Sequence, residues 1–385
     1  MRAILFGLLF YNFSLQAQGV LVENESLLEL TNHEPQQIET TKLLYFFAEI
    51  HVDNLSSFYN EKTVEPAKII SKRLYDSLYY YLYTNCNVKS FFFEAPGSYQ
   101  YFFHQYIVTG DSMWLSIIDS YELVKYQLKI LRNIYLIDST LNIHCIDRES
   151  DSNIDQLVNT LFYLFFYEPY KPDEKNGIAA NNSESFRYFD SLYRSSAIYK
   201  HPSYNILKFV RDLKYLPKKK DAKDLYNEFL RIDTNHLLLL EYKNLLGNNF
   251  EYFMDLKSSY VNFYGNKGKT GDEFEAREEF MATKITNLIS KNLNISYFGQ
   301  FGSSHAVPNN FISQPLLNKL YDKFEYENCI YSALLYFPQF KSMYPINLFN
   351  LRDSEFLHNQ YSKKWTTYKT TGIPTHVVLL NTYSR

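Results

Sequence analysis

The stretch YFFAEIHVDN, residues 45–54, joins an apolar run to three ionisable side chains, Glu49, His51 and Asp53. The apolar run is short and rich in aromatic residues, as in a strand that is buried in a parallel sheet. A buried strand usually gives way to turn residues, whereas two acids around an imidazole are typical of a functional site. The sequence therefore predicts a strand whose carboxyl end carries chemistry.

Five further runs of the same kind follow along the chain. They are VKSFFFEA (88–95), LNIHCIDR (141–148), ISYFGQFG (295–302), CIYSALLYF (329–337) and HVVLLN (376–381). Stretches with helical apolar spacing lie between several of them, for example at residues 65–83 and 112–136. Strands that alternate with helices predict βαβ crossovers. We therefore expect an α/β fold with a mostly parallel sheet flanked by helices.

The alternation stops at residues 152–272, where one helical pattern follows another and polar loops occur at 171–184 and 216–224. We interpret this part as a large helical insertion or cap on a single α/β domain that spans residues 18–385. Residues 339–375 are rich in loop signals, and we predict a loop there that could cover the site.

Length, composition and charge restrict the classes of function. A chain of 385 residues is long enough to bury a large core. The net charge is −3, from 39 Lys and Arg against 42 Asp and Glu, so the chain lacks the basic field that holds nucleic acid. Its three cysteines show no CxxC spacing, which predicts neither a disulfide framework nor a zinc cluster. We expect a small-molecule substrate and no nucleic acid, and these patterns do not encode the oligomeric state.

The N-terminus, MRAILFGLLFYNFSLQAQG, has a basic Arg2, a short apolar segment and the small residue Ala17. This order predicts a secretory signal peptide over residues 1–17, with cleavage before Gln18. No segment reaches the roughly 18 uninterrupted apolar residues that a transmembrane helix needs. We expect an exported protein, periplasmic or extracellular, with no transmembrane segment.

Four of the predicted strands end in, or lead into, ionisable residues. These residues are Glu49 and His51, then Glu94, then Asp147, and finally His305. Ligands of open parallel sheets bind beyond the carboxyl ends of the strands, so we predict that these side chains converge. In such a pocket a histidine beside a carboxylate can take a proton from water. A second group can then stabilise the developing oxyanion or protonate the leaving group.

A metal site is the alternative that the same residues allow. His51, His305 and Glu94 could hold a divalent metal, which would lower the pKa of a bound water. The HExxH, GxSxG and P-loop patterns are absent from the sequence, so zinc proteases, serine hydrolases and nucleotide-binding proteins have no support. The residues leave metal-free and metal-dependent hydrolysis both open.

Five motifs occur in an order that resembles a known superfamily. They are AEIHVDN (48–54), FFFEAPGSYQYFFHQYIVTGD (91–111), CIDRES (145–150), EAREEFMATKI (275–285) and GQFGSSHAVP (299–308). The set resembles the erythromycin esterase-like, ChaN-like and Tiki superfamily over roughly residues 40–310. The resemblance implies a hydrolase of ester or related acyl bonds in which His51 is the general base. It also implies that Glu49 is the partner of His51, that Glu94 is the carboxylate of the second strand and that His305 is the later histidine. The helix motif adds Arg277 and Glu278.

Two spacings depart from the esterase pattern. One residue separates Glu49 from His51, where esterases usually have two, and this spacing resembles ChaN-like proteins, which bind haem or iron. Residues 302–305 also resemble the glycine-x-x-histidine of the metal-dependent Tiki proteases.

Two functions therefore follow as hypotheses. The first is an exported hydrolase with catalytic residues His51, Glu49, Glu94, Glu278 and His305, and with Arg277, Asp147 and Asp53 binding the substrate. The second is a non-catalytic haem- or metal-binding protein of the ChaN-like kind.

Overall fold

The computed structural model describes residues 30–31, 41–118, 122–166, 206, 222–269, 272–307, 312, 314–324, 329–344, 365–370 and 374–380. The predicted signal peptide, residues 1–17, lies outside the described residues. So does most of the predicted loop at 339–375, together with the polar loop at 171–184.

The described strands form one eight-stranded sheet. They are β1 (Leu30–Thr31), β2 (Leu44–Glu49), β3 (Val88–Pro96), β4 (Asn142–Asp147), β5 (Ser296–Gly302), β6 (Ile330–Tyr336), β7 (Trp365–Thr370) and β8 (His376–Leu380). Their order in the sheet is β1-β7-β8-β6-β2-β5-β3-β4. The six neighbours from β8 to β4 are parallel, and these are the six strands predicted from the sequence. The predicted α/β fold is confirmed.

Helices connect the parallel strands. They are α1 (Glu61–Asn85), α2 (Gly97–Thr109), α3 (Met113–Ile117), α4 (Glu122–Ile137), α5 (Ile154–Phe166), α6 (Ala222–Thr234), α7 (His236–Leu246), α8 (Phe250–Asn266), α9 (Asp272–Lys291) and α10 (Leu316–Lys323). Helix α1 includes the predicted helix at 65–83, and its first turn is capped by the Asn60 side chain, which accepts from the backbone N–H of Thr63 at 3.0 Å. The predicted helical stretch at 112–136 covers α3 and all of α4 except its last residue. Among the described helices, none is both long enough and apolar enough to cross a bilayer.

The described parts of residues 152–272 consist of helices and short turns between β4 and β5. Helix α8 packs closely on α2, since a Cβ added to Gly97 at the start of α2 would lie 2.9 Å from the backbone oxygen of Asp255. Helix α9 then leads into β5 at the centre of the sheet. The long connection thus returns the chain to a position between β2 and β3.

The loop-rich segment predicted at residues 339–375 contains a strand that the sequence did not predict. Strand β7 lies within that range and pairs antiparallel with β8. Its sequence, WTTYKT, carries β-branched and aromatic residues but no continuous apolar run, so it lacks the pattern that marked the parallel strands.

A β-bulge near the end of β3 sets the position of Glu94. Phe93 pairs with Cys145 and Pro96 pairs with Asp147, so three steps on β3 correspond to two on β4. Such a bulge bends the strand and redirects the side chains within it. On the other side of β5, Glu49 of β2 pairs with Gly302.

Candidate functional site

The carboxyl ends of β2, β5, β3 and β4, four adjacent strands, open on a cavity of about 360 Å³. Six of the eight predicted site residues line it, namely Glu49, His51, Asp53, Glu94, Asp147 and Arg277. The other two, Glu278 and His305, are 0% and 1% exposed and lie behind Glu94. The strand ends thus bring the predicted residues together, as the position of the acids and histidines in the sequence suggested.

Glu94 lies at the centre of the cluster. Its Oε1 accepts hydrogen bonds from Arg277 Nη2 at 2.8 Å and from His305 Nε2 at 2.9 Å. Its Oε2 accepts from the backbone N–H of Gly302 at 2.6 Å and lies 3.3 Å from His51 Nε2. Burial opposes the charge on this carboxyl, but the positive charges of His305 and His51 hold its pKa well below the usual range. Glu94 is therefore ionised and fully hydrogen-bonded.

His305 is held between two carboxylates. Its Nε2 contacts Glu94, and its Nδ1 lies 2.9 Å from Oε2 of Glu278. The same Glu278 oxygen accepts from the backbone N–H of Leu316 at 2.7 Å. Burial lowers the pKa of His305, but Glu94 and Glu278 outweigh it and raise the pKa to about 10. His305 is thus a buried imidazolium that acts on the cavity through Glu94.

His51 is the histidine that reaches the cavity. It follows the last residue of β2 by two positions and precedes a short 3₁₀ helix at Val52–Ser57, and its side chain is 41% exposed. Burial of part of the ring lowers the pKa of His51. The charge and hydrogen bond of Glu94 raise it by a larger amount, so the net shift of the pKa is upward. With Nε2 directed at Glu94, Nδ1 has no hydrogen-bond partner among the described residues and is available to a water molecule.

Gly302 leaves room for the contact between His51 and Glu94. A Cβ at this position would lie 2.9 Å from His51 Nε2 and 3.5 Å from Oε2 of Glu94. The absence of a side chain therefore allows the imidazole to approach the carboxylate, while the backbone N–H of the same residue binds that carboxylate.

Glu49 bonds to a residue other than His51. Both of its carboxylate oxygens accept from the Tyr75 hydroxyl, at 3.0 and 2.9 Å, and Gln300 Nε2 donates to that hydroxyl at 2.8 Å. Burial raises the pKa of Glu49 to about 7, although the nearby His51 opposes the shift. The carboxylate that the structure pairs with His51 is Glu94, in place of the Glu49 partner that the resemblance implied. Tyr75 and Gln300 were missed, because Tyr75 lies in a helical pattern that predicts only core packing.

Arg277 and Asp147 form a two-point ion pair at the side of the cavity. Arg277 Nε donates to Oδ1 of Asp147 at 2.9 Å, and Nη2 lies 2.5 Å from Oδ2. Asp147 and Glu94 hold the guanidinium charged against the cost of burial, so its pKa is raised. Nη1 has no hydrogen-bond partner among the described residues, and the side chain is 26% exposed.

Asp53 supports the wall of the cavity. Its Oδ2 accepts from the backbone N–H of Leu123, in the first turn of α4, at 2.7 Å, and its Oδ1 lies 3.5 Å from Lys68 Nζ. The carboxylate therefore caps a helix N-terminus, where the helix dipole favours a negative charge. Asp53 also lines the cavity, where it could make its predicted contact with the substrate.

The predicted metal ligands do not fit a metal site as they are placed. Both ring nitrogens of His305 are engaged by carboxylates, and Glu94 already contacts four donors. Among the described residues, no group of three or more His, Cys, Asp and Glu side chains is placed to share a metal ion. His51 alone keeps a nitrogen that could act as a ligand, and one imidazole is fewer than the three or four protein ligands that metal sites usually supply.

No family model matches the sequence, and no curated protein matches it. Three solved structures are similar to this chain. A mutant erythromycin esterase in its open conformation is 11% identical, with a TM-score of 0.40, over 77% of this chain and 70% of that chain. A protein from Bacillus cereus is 12% identical, with a TM-score of 0.40, over 78% of this chain and 66% of that chain. A succinoglycan biosynthesis protein is 9% identical, with a TM-score of 0.47, over 88% of both chains. An erythromycin esterase is thus among the similar structures, as the motifs predicted.

Proposed function

We propose that this chain hydrolyses ester or related acyl bonds, with His51 as the general base. One observation carries the proposal: an ionised, fully hydrogen-bonded Glu94 holds His51 Nε2 at the cavity, which leaves Nδ1 for water. A carboxylate that orients an imidazole and stabilises its protonated form is the arrangement by which a histidine activates a nucleophile.

The reaction follows from this geometry. In the neutral imidazole, the N–H of Nε2 donates a hydrogen bond to the Glu94 carboxylate and keeps its proton, so Nδ1 removes a proton from water as the water oxygen attacks the acyl carbon. The resulting imidazolium is stabilised by Glu94. The oxyanion would be stabilised by the N–H groups on Arg277 Nη1. When the tetrahedral intermediate collapses, the imidazolium returns its proton to the leaving alkoxide, which gives an acid and an alcohol.

The remaining residues support this pair. His305 and Glu278 keep Glu94 ionised and oriented, and Asp147 orients Arg277. We further propose that the protein acts after export, because of its N-terminal sequence. Intact-mass measurement of the mature protein tests that step, and we expect the mass of a chain that begins at Gln18.

Substitution of the base is the direct test. We expect His51→Ala to lower kcat for ester hydrolysis by about 10²- to 10⁴-fold, the usual contribution of a general base. The circular dichroism spectrum and melting temperature should stay close to those of the wild type, because the side chain is 41% exposed. His236→Ala, at an exposed position of α7, is the matched control. Full activity in His51→Ala, measured in metal-free buffer, would remove His51 from the reaction.

The non-catalytic haem- or metal-binding function is tested with the same proteins. Metal content and the visible absorption spectrum of the wild type and His51→Ala distinguish the two functions. A stoichiometric metal or a Soret band that disappears in His51→Ala, together with an absence of turnover, would replace the hydrolase proposal with a ligand role for His51.

A further inference from the structure

One side of the cavity is apolar and has no part in the mechanism above. The residues Phe93, Tyr99 and Phe103 line this side, and all three lie close to Glu94 in the sequence. Their rings pack edge to face, with centroids 5.3 Å apart for Phe93 and Phe103 and 5.9 Å apart for Tyr99 and Phe103. They are 5%, 8% and 0% exposed, so the wall is fixed by packing. A rigid aromatic surface therefore lies beside the proposed base.

Helix α4 supplies more apolar surface to the same cavity. Leu123 and Val124, in its first turn, both line the cavity. Leu123 is held in place by the bond from its backbone N–H to Asp53. Aromatic and aliphatic side chains that line a cavity with a few convergent polar groups are typical of sites for organic ligands.

The charge of the site also restricts which substrates can bind. When His51 is neutral and Glu49 is ionised, the carboxylates at and behind the cavity outnumber the cations. The carboxylates are Glu49, Asp53, Glu94, Asp147 and Glu278, and the cations are Lys68, Arg277 and His305. A substrate with its own carboxylate or phosphate would meet net repulsion in a partly desolvated site.

We propose, on the basis of the hydrolase function above, that the substrates are neutral or cationic esters with an aromatic or branched alkyl acyl group. The acyl group lies on Phe93 and Tyr99, which are packed against the buried ring of Phe103, and against Leu123 and Val124. Its carbonyl carbon faces His51. A cavity of about 360 Å³ accommodates a group of the size of 3-phenylpropionyl.

A series of 4-nitrophenyl esters tests this substrate class. After correction for uncatalysed hydrolysis, we expect kcat/KM for the 3-phenylpropionyl ester to exceed that for the acetyl ester at least tenfold. The phenyl ring buries more apolar surface than one methylene, and one methylene in an apolar pocket already changes kcat/KM by about tenfold. The monoanionic succinyl ester should fall below the acetyl ester. Val124→Asp should lower kcat/KM for the phenylpropionyl ester about tenfold or more. Val108→Asp, which adds the same charge at an exposed position of α2, is the control.

Binding of 3-phenylpropionamide, which is neutral and lacks an ester, tests the substrate class separately from the proposed hydrolase function. We expect the amide to bind to the wild type and to lose affinity in Val124→Asp, with 3-phenylpropionate binding more weakly. Turnover that depends on His51 but is equal across the ester series, or highest for the succinyl ester, would overturn the substrate class and leave the hydrolase. Amide binding without turnover of any ester would overturn the hydrolase and leave an apolar ligand site.

Discussion

Glu94 links the protonation of the two histidines, and its position could be predicted only in part. The sequence predicted Glu94 and His51 at the same sheet edge, but the family resemblance implied Glu49 as the partner of His51. Residues two apart on a strand share a face, so a strand that continued to His51 would allow that pair. The strand ends at Glu49, however, and His51 begins a 3₁₀ turn, so the alternation no longer applies at His51. The Tyr75 hydroxyl then engages Glu49.

The pH dependence of activity tests the pairing of Glu94 with His51. A base must be unprotonated, so kcat/KM should rise with pH through the pKa of His51, which is raised above its ordinary 6.5. In Glu94→Gln the negative charge that stabilises the imidazolium is removed. We expect the acidic limb of the profile to move to lower pH and the plateau to fall, because the imidazolium formed in the reaction is less stable.

The control for this experiment is Glu65→Gln, an exposed acid on α1 that should leave the profile in place. Melting temperatures would show whether Glu94→Gln remains folded despite the loss of charge beside His305 and Arg277. An acidic limb that stays fixed or moves to higher pH in a folded Glu94→Gln protein would contradict the pairing of His51 with this carboxylate.

At the scale of elements, continuous apolar runs identified all six parallel strands, since a strand covered on both faces has to be apolar throughout. The bulge in β3 had no such signal, because its register depends on the partner strands β4 and β5. Strand β7 was missed because its antiparallel pairing tolerates Thr and Lys. The sequence therefore predicted the layout of the sheet but not the irregularity that places Glu94.

Strand β4, last in the order of the described strands, has its outer edge covered by a side chain. Gln100 of α2 donates from Nε2 to the backbone oxygen of Ile143 at 2.7 Å and accepts from the backbone N–H of Cys145 at 2.5 Å. Its carboxamide thus makes the hydrogen bonds that a neighbouring strand would make, and it covers backbone groups that would otherwise be unpaired at the sheet edge. We expect Gln100→Leu to lower the free energy of unfolding by about 1–3 kcal/mol, because two buried backbone groups lose their partner.

Denaturant unfolding of Gln100→Leu beside Gln105→Leu measures this contribution. Gln105 lies on the same helix and is partly exposed, and its side chain has no hydrogen bond among the described residues, so the same substitution should change stability little. Equal free energies of unfolding for the two variants would mean that the edge of β4 does not depend on Gln100.

At the scale of the whole molecule, folding stability should depend on pH through a few buried groups. Burial raises the pKa of Glu49 and of Glu149 to about 7. Glu149 accepts from the backbone N–H and hydroxyl of Ser98 in the first turn of α2, at 2.8 and 2.9 Å. The pKa of His305 is raised to about 10, while that of Glu94 is lowered well below its usual range. Each shift is a difference in proton binding between the folded and unfolded chain.

The signs of these shifts place the maximum of stability on the acid side of neutrality. The folded chain holds protons on Glu49 and Glu149 more tightly than the unfolded chain does, so their contribution is complete below the ordinary carboxyl pKa of 4.5 and is lost as the pH rises through about 7. The contribution of His305 is complete below 6.5 and is lost through about 10. That of Glu94 is present above 4.5 and is lost as the pH falls below it.

We therefore expect the free energy of unfolding to be greatest near pH 5 and to decrease steadily towards pH 10, as measured by denaturant unfolding across that range. Glu149 should account for about 2 kcal/mol of the decrease between pH 5 and pH 7, from a shift of this size. Glu149→Gln keeps an acceptor for the N–H of Ser98 but cannot titrate, so its curve should be flatter between pH 5 and 7. A wild-type curve that rises over this interval, or a Glu149→Gln curve with the same slope as the wild type, would mean that burial does not hold a proton on this carboxyl.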